Sequence, residues 1–98
     1  NRLWEVEGPC AAVANGYFVL QPNRVGLEDN EYGELAVDFY GTSQVIDPRG
    51  NFVGERGSGT DEEVLIRDLE MNMVQEMRDD WQFYRDRRPD SYTMIAKP

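Results

Sequence analysis

The sequence predicts an α/β fold built of α and β layers, on three observations. Tyr17-Phe18-Val19-Leu20 is an unbroken apolar run rich in β-formers, the pattern of a strand covered on both faces. Asp47-Pro48-Arg49-Gly50 puts Asp first, Pro second and Gly fourth, as a type I turn prefers, between stretches fit to pair as a hairpin. Met71, Val74, Met77 and Trp81 recur at helical spacing with charges between them. A strand buried on both faces, antiparallel strands and an amphipathic helix pack as layers. A few strands and two helices are too few to cover both faces of such a sheet, so the pattern asks for more protein than it contains.

The elements follow in order. Leu3, Val6, Cys10 and Val13 are helically spaced, and Ala11, Ala12 and Ala14 favour helix. Pro9 opposes one unbroken helix, so a kink there, or a helix that starts at Pro9, is expected. Asn15-Gly16 ends it, because both residues tolerate the left-handed backbone of a helix C-terminus. The Tyr17–Leu20 strand stops at Pro22. Val25 to Asp38 is acidic and glycine-bearing and reads as a long exposed loop. Phe39 to Ile46 reads as one strand interrupted by Gly41, with Asn51 to Glu55 returning as its hairpin partner. Arg56 to Asp61 is a turn with two glycines, Glu63 to Leu69 a further strand, and Met71 to Trp81 the second helix. The tail from Gln82 to Pro98 mixes aromatic and charged residues. No linker, repeat or internal domain boundary is visible, and residues 1–98 read as part of one domain.

Composition narrows the function. The formal net charge of −9 repels phosphate backbones, so nucleic acid is not an expected partner. Arg78, Arg85, Arg87 and Arg88 are interleaved with Asp79, Asp80, Asp86 and Asp90, a self-paired surface. No apolar run approaches the ~20 residues that span a bilayer, so no membrane is expected either. The start, Asn1-Arg2-Leu3-Trp4, carries neither Met nor a secretory pattern, as in a processed protein or a part of a longer one. One cysteine cannot form an internal disulfide, which points to a reducing, cytoplasmic setting. With no histidine and one cysteine, a zinc site is not expected, and Ser-His-Asp and Cys-His catalysis are excluded for these residues alone.

Several motifs, in order, resemble the nitrilase superfamily of carbon–nitrogen hydrolases. Ala14-Asn15-Gly16-Tyr17-Phe18-Val19 with Asn23-Arg24-Val25-Gly26 is similar to its helix–strand–loop. Phe39-Tyr40-Gly41-Thr42-Ser43 with Asp47-Pro48-Arg49-Gly50 resembles the strand and hairpin turn that follow. The stretch from Trp81 to Tyr92, with Arg87-Arg88-Pro89-Asp90 inside it, resembles the C-terminal segment of N-carbamoyl hydrolases, the β-ureidopropionase-like enzymes first and the N-carbamoylputrescine amidases next. The resemblance implies the C-terminal part of an αββα sandwich two or three times this length. It implies a Glu-Lys-Cys triad in which Cys attacks the carbonyl or carbamoyl carbon, Glu is the general base and Lys stabilises the tetrahedral intermediate. All three lie upstream of the matched segment, so no catalytic residue is assigned here, and no metal or organic cofactor is implied. Pro9, Cys10 and Glu70 depart from the family pattern, the last because Asp or Asn caps a helix better.

The candidate site residues each carry two readings. Asn23 and Arg24 end a buried strand, where α/β folds bind ligands, and together with Glu28 they are expected at the edge of a substrate pocket. The plainer reading has Asn23 bonding local backbone and Arg24 pairing with an acid at a subunit contact. Glu28, Asp29, Glu31 and Glu34 have irregular spacing, which suits a solvated loop, with gating as its functional reading, better than a calcium loop. Cys10 reads as a small buried hydrophobe. Tyr40 and Ser43 read as packing and a backbone-bonded hydroxyl. Trp81, Phe83, Tyr84, Arg85, Arg87, Arg88 and Tyr92 form an aromatic and arginine-rich ending of the kind that anchors interfaces, either between subunits of a homo-oligomer or against other parts of the same chain. The expected function is hydrolysis of an N-carbamoyl or amide C–N bond by a larger protein. The alternative is a non-catalytic acidic module that binds a protein partner through its aromatic C-terminus.

Overall fold

The computed structural model of the protein describes residues 1–29 and 36–97. The element order is α1 (Arg2–Asn15), β1 (Val19–Gln21), β2 (Val25–Asp29), β3 (Ala36–Tyr40), β4 (Gln44–Ile46), α2 (Asn72–Asp80), a 3-10 turn (Pro89–Tyr92) and α3 (Thr93–Ala96). β1 pairs antiparallel with β4, and β2 pairs antiparallel with β3.

α1 runs through Pro9 as one helix, against the expected kink or late start. The ring removes the bond to the Glu5 carbonyl, a loss of one backbone contact in fourteen residues. The helix closes at Gly16, whose φ of 62° lets its N–H reach the Ala12 carbonyl at 2.8 Å. Its buried residues are Gly8 and Ala12, not the Leu3–Val6–Cys10–Val13 stripe. A Cβ on Gly8 would lie 2.5 Å from Ile46 Cδ1, so only glycine lets the helix approach the sheet this closely. Trp4 and Gln44 tie the two layers, the Trp4 indole donating to the Thr42 carbonyl at 2.9 Å and Gln44 Nε2 donating to the Trp4 carbonyl at 2.7 Å.

Several expectations are corrected. The first strand is Val19–Gln21, not Tyr17–Leu20, and it is covered on one face only: Leu20, cross-strand from Val45, is 61% exposed. The proposed loop over Val25 to Asp38 is a two-stranded ribbon where it is described, with Val25 opposite Tyr40 and Asp29 opposite Ala36. Glu31 and Glu34 lie outside the described residues. Phe39 to Ile46 is two strands, because Gly41 and Thr42 both adopt positive φ (56° and 54°) and turn the chain from one partner strand to another. The Asp47–Gly50 turn forms as expected, with Gly50 N–H on the Asp47 carbonyl and Asp47 Oδ1 accepting from the Arg49 and Asn51 amides. Its return limb is not a strand, however: it makes one bridge, Phe52 to Ile46, before Gly54 (φ 74°) diverts it. Residues 63–69 form no ladder among the described residues. Cys10 is exposed, because the helix presents Gly8 and Ala12, its smallest residues, to the sheet and turns the larger apolar stripe outward.

The result is a slab of 52 × 41 × 18 Å. Eighteen ångströms is one helix layer on one sheet layer, each about 10 Å thick. The radius of gyration is 18.1 Å, where a compact domain of this length has about 13 Å. Only Ala12, Ile46 and Met77 form a buried apolar core among the described residues.

Candidate functional site

Where β1 ends and β3 gives way to β4, a cleft of about 360 Å3 opens between Asn23, Arg24, Ser43, Ser58, Glu62 and Glu63. Pro22 forces the chain out of β1, and the Gly41–Thr42 turn leaves β4 facing it. Asn23 locks the two ends together. Its side-chain amide donates to the Gly41 carbonyl at 2.8 Å, its backbone N–H donates to Ser43 Oγ at 2.8 Å, and its Oδ1 accepts from the Arg24 amide at 2.9 Å. Thr42 N–H reaches the Ser58 carbonyl at 3.0 Å, so the glycine turn at 57–59 is fastened to the same point.

Asn23 and Arg24 both line this cleft. Glu28 does not line it; its carboxylate pairs with Arg24, whose guanidinium lies over the Phe39 ring, 4.7 Å from the centroid. The acid that Arg24 meets is thus on its own ribbon. Ser43 bonds backbone, as read from sequence, and Tyr40 packs edge-on to Trp4. Ser58, Asp61, Glu62 and Glu63 were not singled out from the sequence, although they line this cleft. Their signal was the glycine-flanked serine Gly57-Ser58-Gly59; Glu63 accepts the Ser58 N–H, which bends the acidic stretch back over the opening. With one guanidinium already paired and three carboxylates at its rim, the cleft suits a polar or cationic group more than an anion.

The aromatic ending is only partly gathered. Trp81 and Phe83 stack with centroids 5.8 Å apart and remain about half exposed. Phe83 closes one end of an apolar groove with Val6, Pro9, Cys10 and Val13 of α1. Tyr84 turns the other way, donating its hydroxyl to Asn15 Oδ1 at 3.1 Å beneath the Arg78 guanidinium. Arg85 pairs with Asp86 and Arg88 with Asp90, while Arg87 and Tyr92 stay exposed. The Arg88 guanidinium holds the Asp90 carboxyl below the usual carboxylate range, and Asp90 in turn raises Arg88. Cys10 lines the groove beside Phe83, not the cleft beside Asn23. No helix among the described residues is long and apolar enough to cross a membrane.

Comparison with known proteins gives a consistent result. Residues 2–79 match the sequence model of the carbon–nitrogen hydrolase family. An N-carbamoylputrescine amidase of Arabidopsis thaliana is 36% identical over 86 residues, covering 86% of this chain and 28% of its own length. A beta-ureidopropionase of the same plant is 30% identical, covering 97% of this chain and 26% of its own length. The crystal structure of a carbon–nitrogen hydrolase from Helicobacter pylori G27 superposes on 98% of the chain with a TM-score of 0.88 and 34% identity. The chain spans 33% of that structure, and under a third of each of these two curated relatives.

Proposed function

The chain belongs to the carbon–nitrogen hydrolase family, the nitrilase superfamily, and from that premise we propose that it is the C-terminal part of an enzyme that hydrolyses an N-carbamoyl or amide C–N bond. The observation that supports this most is the pairing of a TM-score of 0.88 over a third of a hydrolase with a slab two layers thick whose described residues bury only three apolar side chains. Leu20, 61% exposed on β1, lies on the face a second sheet would take in an αββα sandwich.

In this reading the nucleophilic Cys, the Glu base and the Lys reside in the portion outside these residues. Cys attacks the carbamoyl or acyl carbon, Glu takes its proton, and Lys holds the oxyanion until ammonia leaves. Water then releases the acid, and a carbamic acid decomposes to carbon dioxide and amine. Asn23 and Arg24 form the pocket edge, with Glu28 fixing the Arg24 guanidinium. The acidic rim at Asp61–Glu63 favours a substrate with a cationic tail, which places an N-carbamoyl amine such as N-carbamoylputrescine ahead of an N-carbamoyl amino acid. Trp81, Phe83, Tyr84, Arg85, Arg87, Arg88 and Tyr92, with the outer stripe of α1, form contacts between subunits of a homo-oligomer. No cofactor takes part, and the setting is cytoplasmic.

The test is ammonia release from N-carbamoylputrescine and β-ureidopropionate by the full polypeptide encoded by the reading frame that contains these residues. Turnover that vanishes when its nucleophilic Cys is changed to Ala, with none from the 98 residues alone, is the expected result. Turnover by the 98 residues alone, or by the Cys→Ala variant, would contradict the assignment. So would no ammonia from any carbamoyl or amide substrate.

A further inference from the structure

We propose that Asn15 is a self-modification site: its side-chain amide deamidates through a cyclic imide with the Gly16 backbone nitrogen, and the docked Tyr84 hydroxyl holds that reaction off. The inference is independent of the hydrolase chemistry above. Asn15-Gly16 is the one Asn-Gly pair in the chain. Glycine has no side chain to shield its nitrogen, so ring closure is easiest at such a pair. In the step, solvent takes the Gly16 N–H proton and the nitrogen attacks Asn15 Cγ. The N–Cγ bond forms, the Cγ–Nδ2 bond breaks, and ammonia departs with a proton returned from water. Water then opens either imide carbonyl and leaves aspartate or isoaspartate.

The structure pins the groups this step has to move. Asn15 Nδ2 donates to the Ala11 carbonyl at 2.8 Å and Oδ1 accepts from the Tyr84 hydroxyl at 3.1 Å, which keeps the amide from swinging toward Gly16. Gly16 is buried, and its N–H is bonded to the Ala12 carbonyl at 2.8 Å. Two of these three bonds are internal to the end of α1. The Tyr84 bond is not: it comes from 69 positions along the chain, out of an exposed tail, with the Arg78 guanidinium 5.5 Å from the ring centroid. Departure of the tail frees Oδ1, and fraying of the last helical turn then frees the nitrogen. The change runs one way. A carboxylate at position 15 has no donor for Ala11 and sits at the negative end of the helix dipole. Isoaspartate also adds a carbon to the backbone, so the Gly16 cap does not re-form. The pair thereby records, irreversibly, the loss of the tail from α1.

Peptide mass spectrometry tests this on the full polypeptide encoded by the reading frame that contains these residues, held at mildly alkaline pH. It reads the mass gained at Asn15 when the amide becomes an acid, with Asn23 of the same tryptic peptide as the internal reference. Asn15 is expected to outpace Asn23 in the urea-unfolded polypeptide, and to be at least about tenfold slower in the native one. Tyr84→Phe keeps the ring and loses one neutral hydrogen bond, so it should speed the native rate about fivefold. If Tyr84→Phe does not fold, Arg78→Gln, which withdraws the cation over that ring, takes its place with an expected gain of about twofold. An unchanged or slower native rate in the folded variant would overturn the proposal. So would a wild-type native rate equal to the unfolded one, or an unfolded Asn15 no faster than Asn23.

Discussion

The junction of α1 with β1 and β4 differs from the limb at residues 62–69 in what completes it. At the junction Ile46 is fully buried, Gly8 admits the helix against it, and Gln44 bonds across the layers. On the limb Val64 and Ile66 are bare and the backbone has no ladder among the described residues. Both stretches carry β-branched residues, Val19, Val45 and Ile46 at the junction and Val64 and Ile66 on the limb. In the proposed reading the difference lies in whether the partner is encoded within the same 98 residues, and an exposed, well-patterned element marks where a larger fold would continue.

Mutations in the complete polypeptide, followed by denaturant unfolding, can break or sharpen that contrast. Ile46→Ala has the largest expected effect, a loss of about 2–5 kcal/mol, because it empties the point where helix and sheet meet. A loss under about 1 kcal/mol would show that the junction is not the anchor described. Ile66→Ala is expected to cost about 2 kcal/mol in the complete polypeptide; a loss under about 0.5 kcal/mol would show that the limb stays bare there. Asn23→Ala removes the bonds to Gly41 and Arg24 and should cost about 1–2 kcal/mol. Thr42→Gly relieves a β-branched residue at positive φ and should raise stability by about 1 kcal/mol. The smallest effect belongs to Asp90→Asn, on a fully exposed pair, which should leave stability unchanged at neutral pH. The Asp90 carboxyl should titrate below its ordinary 3.8 by NMR and return toward it in Arg88→Ala. Because its pKa is depressed on folding, any stabilisation it adds is present above that ordinary value and fades as the pH falls through the lowered one.

The local punctuation of this fold was legible in the sequence. Asn15-Gly16 ends a helix, Pro22 ends a strand and Asp47 to Gly50 turns, whereas of the Met71, Val74, Met77 and Trp81 stripe only Met77 is buried. Of the three residues expected at a pocket edge, Asn23 and Arg24 line the cleft and Glu28 does not. What local reasoning missed depended on distant partners. Helical spacing chose Leu3, Val6, Cys10 and Val13 as the inner face, while the sheet selected Gly8 and Ala12, because close approach favours the smallest side chains and hydropathy alone does not register that. Val25 to Asp38 looked like a loop because its acids obscure the pairing of Val25 with Tyr40 and Leu27 with Asp38. The Glu62–Glu63 rim was invisible because a glycine turn carries it back over the cleft.

The most direct measurement is thermal unfolding of the 98 residues alone, followed by circular dichroism together with sedimentation. A slab whose described residues bury only Ala12, Ile46 and Met77 as apolar core should melt gradually, without a cooperative transition, and should aggregate through its bare faces. A sharp, reversible transition in a monomer would mean that these residues complete their own core, and would contradict the account.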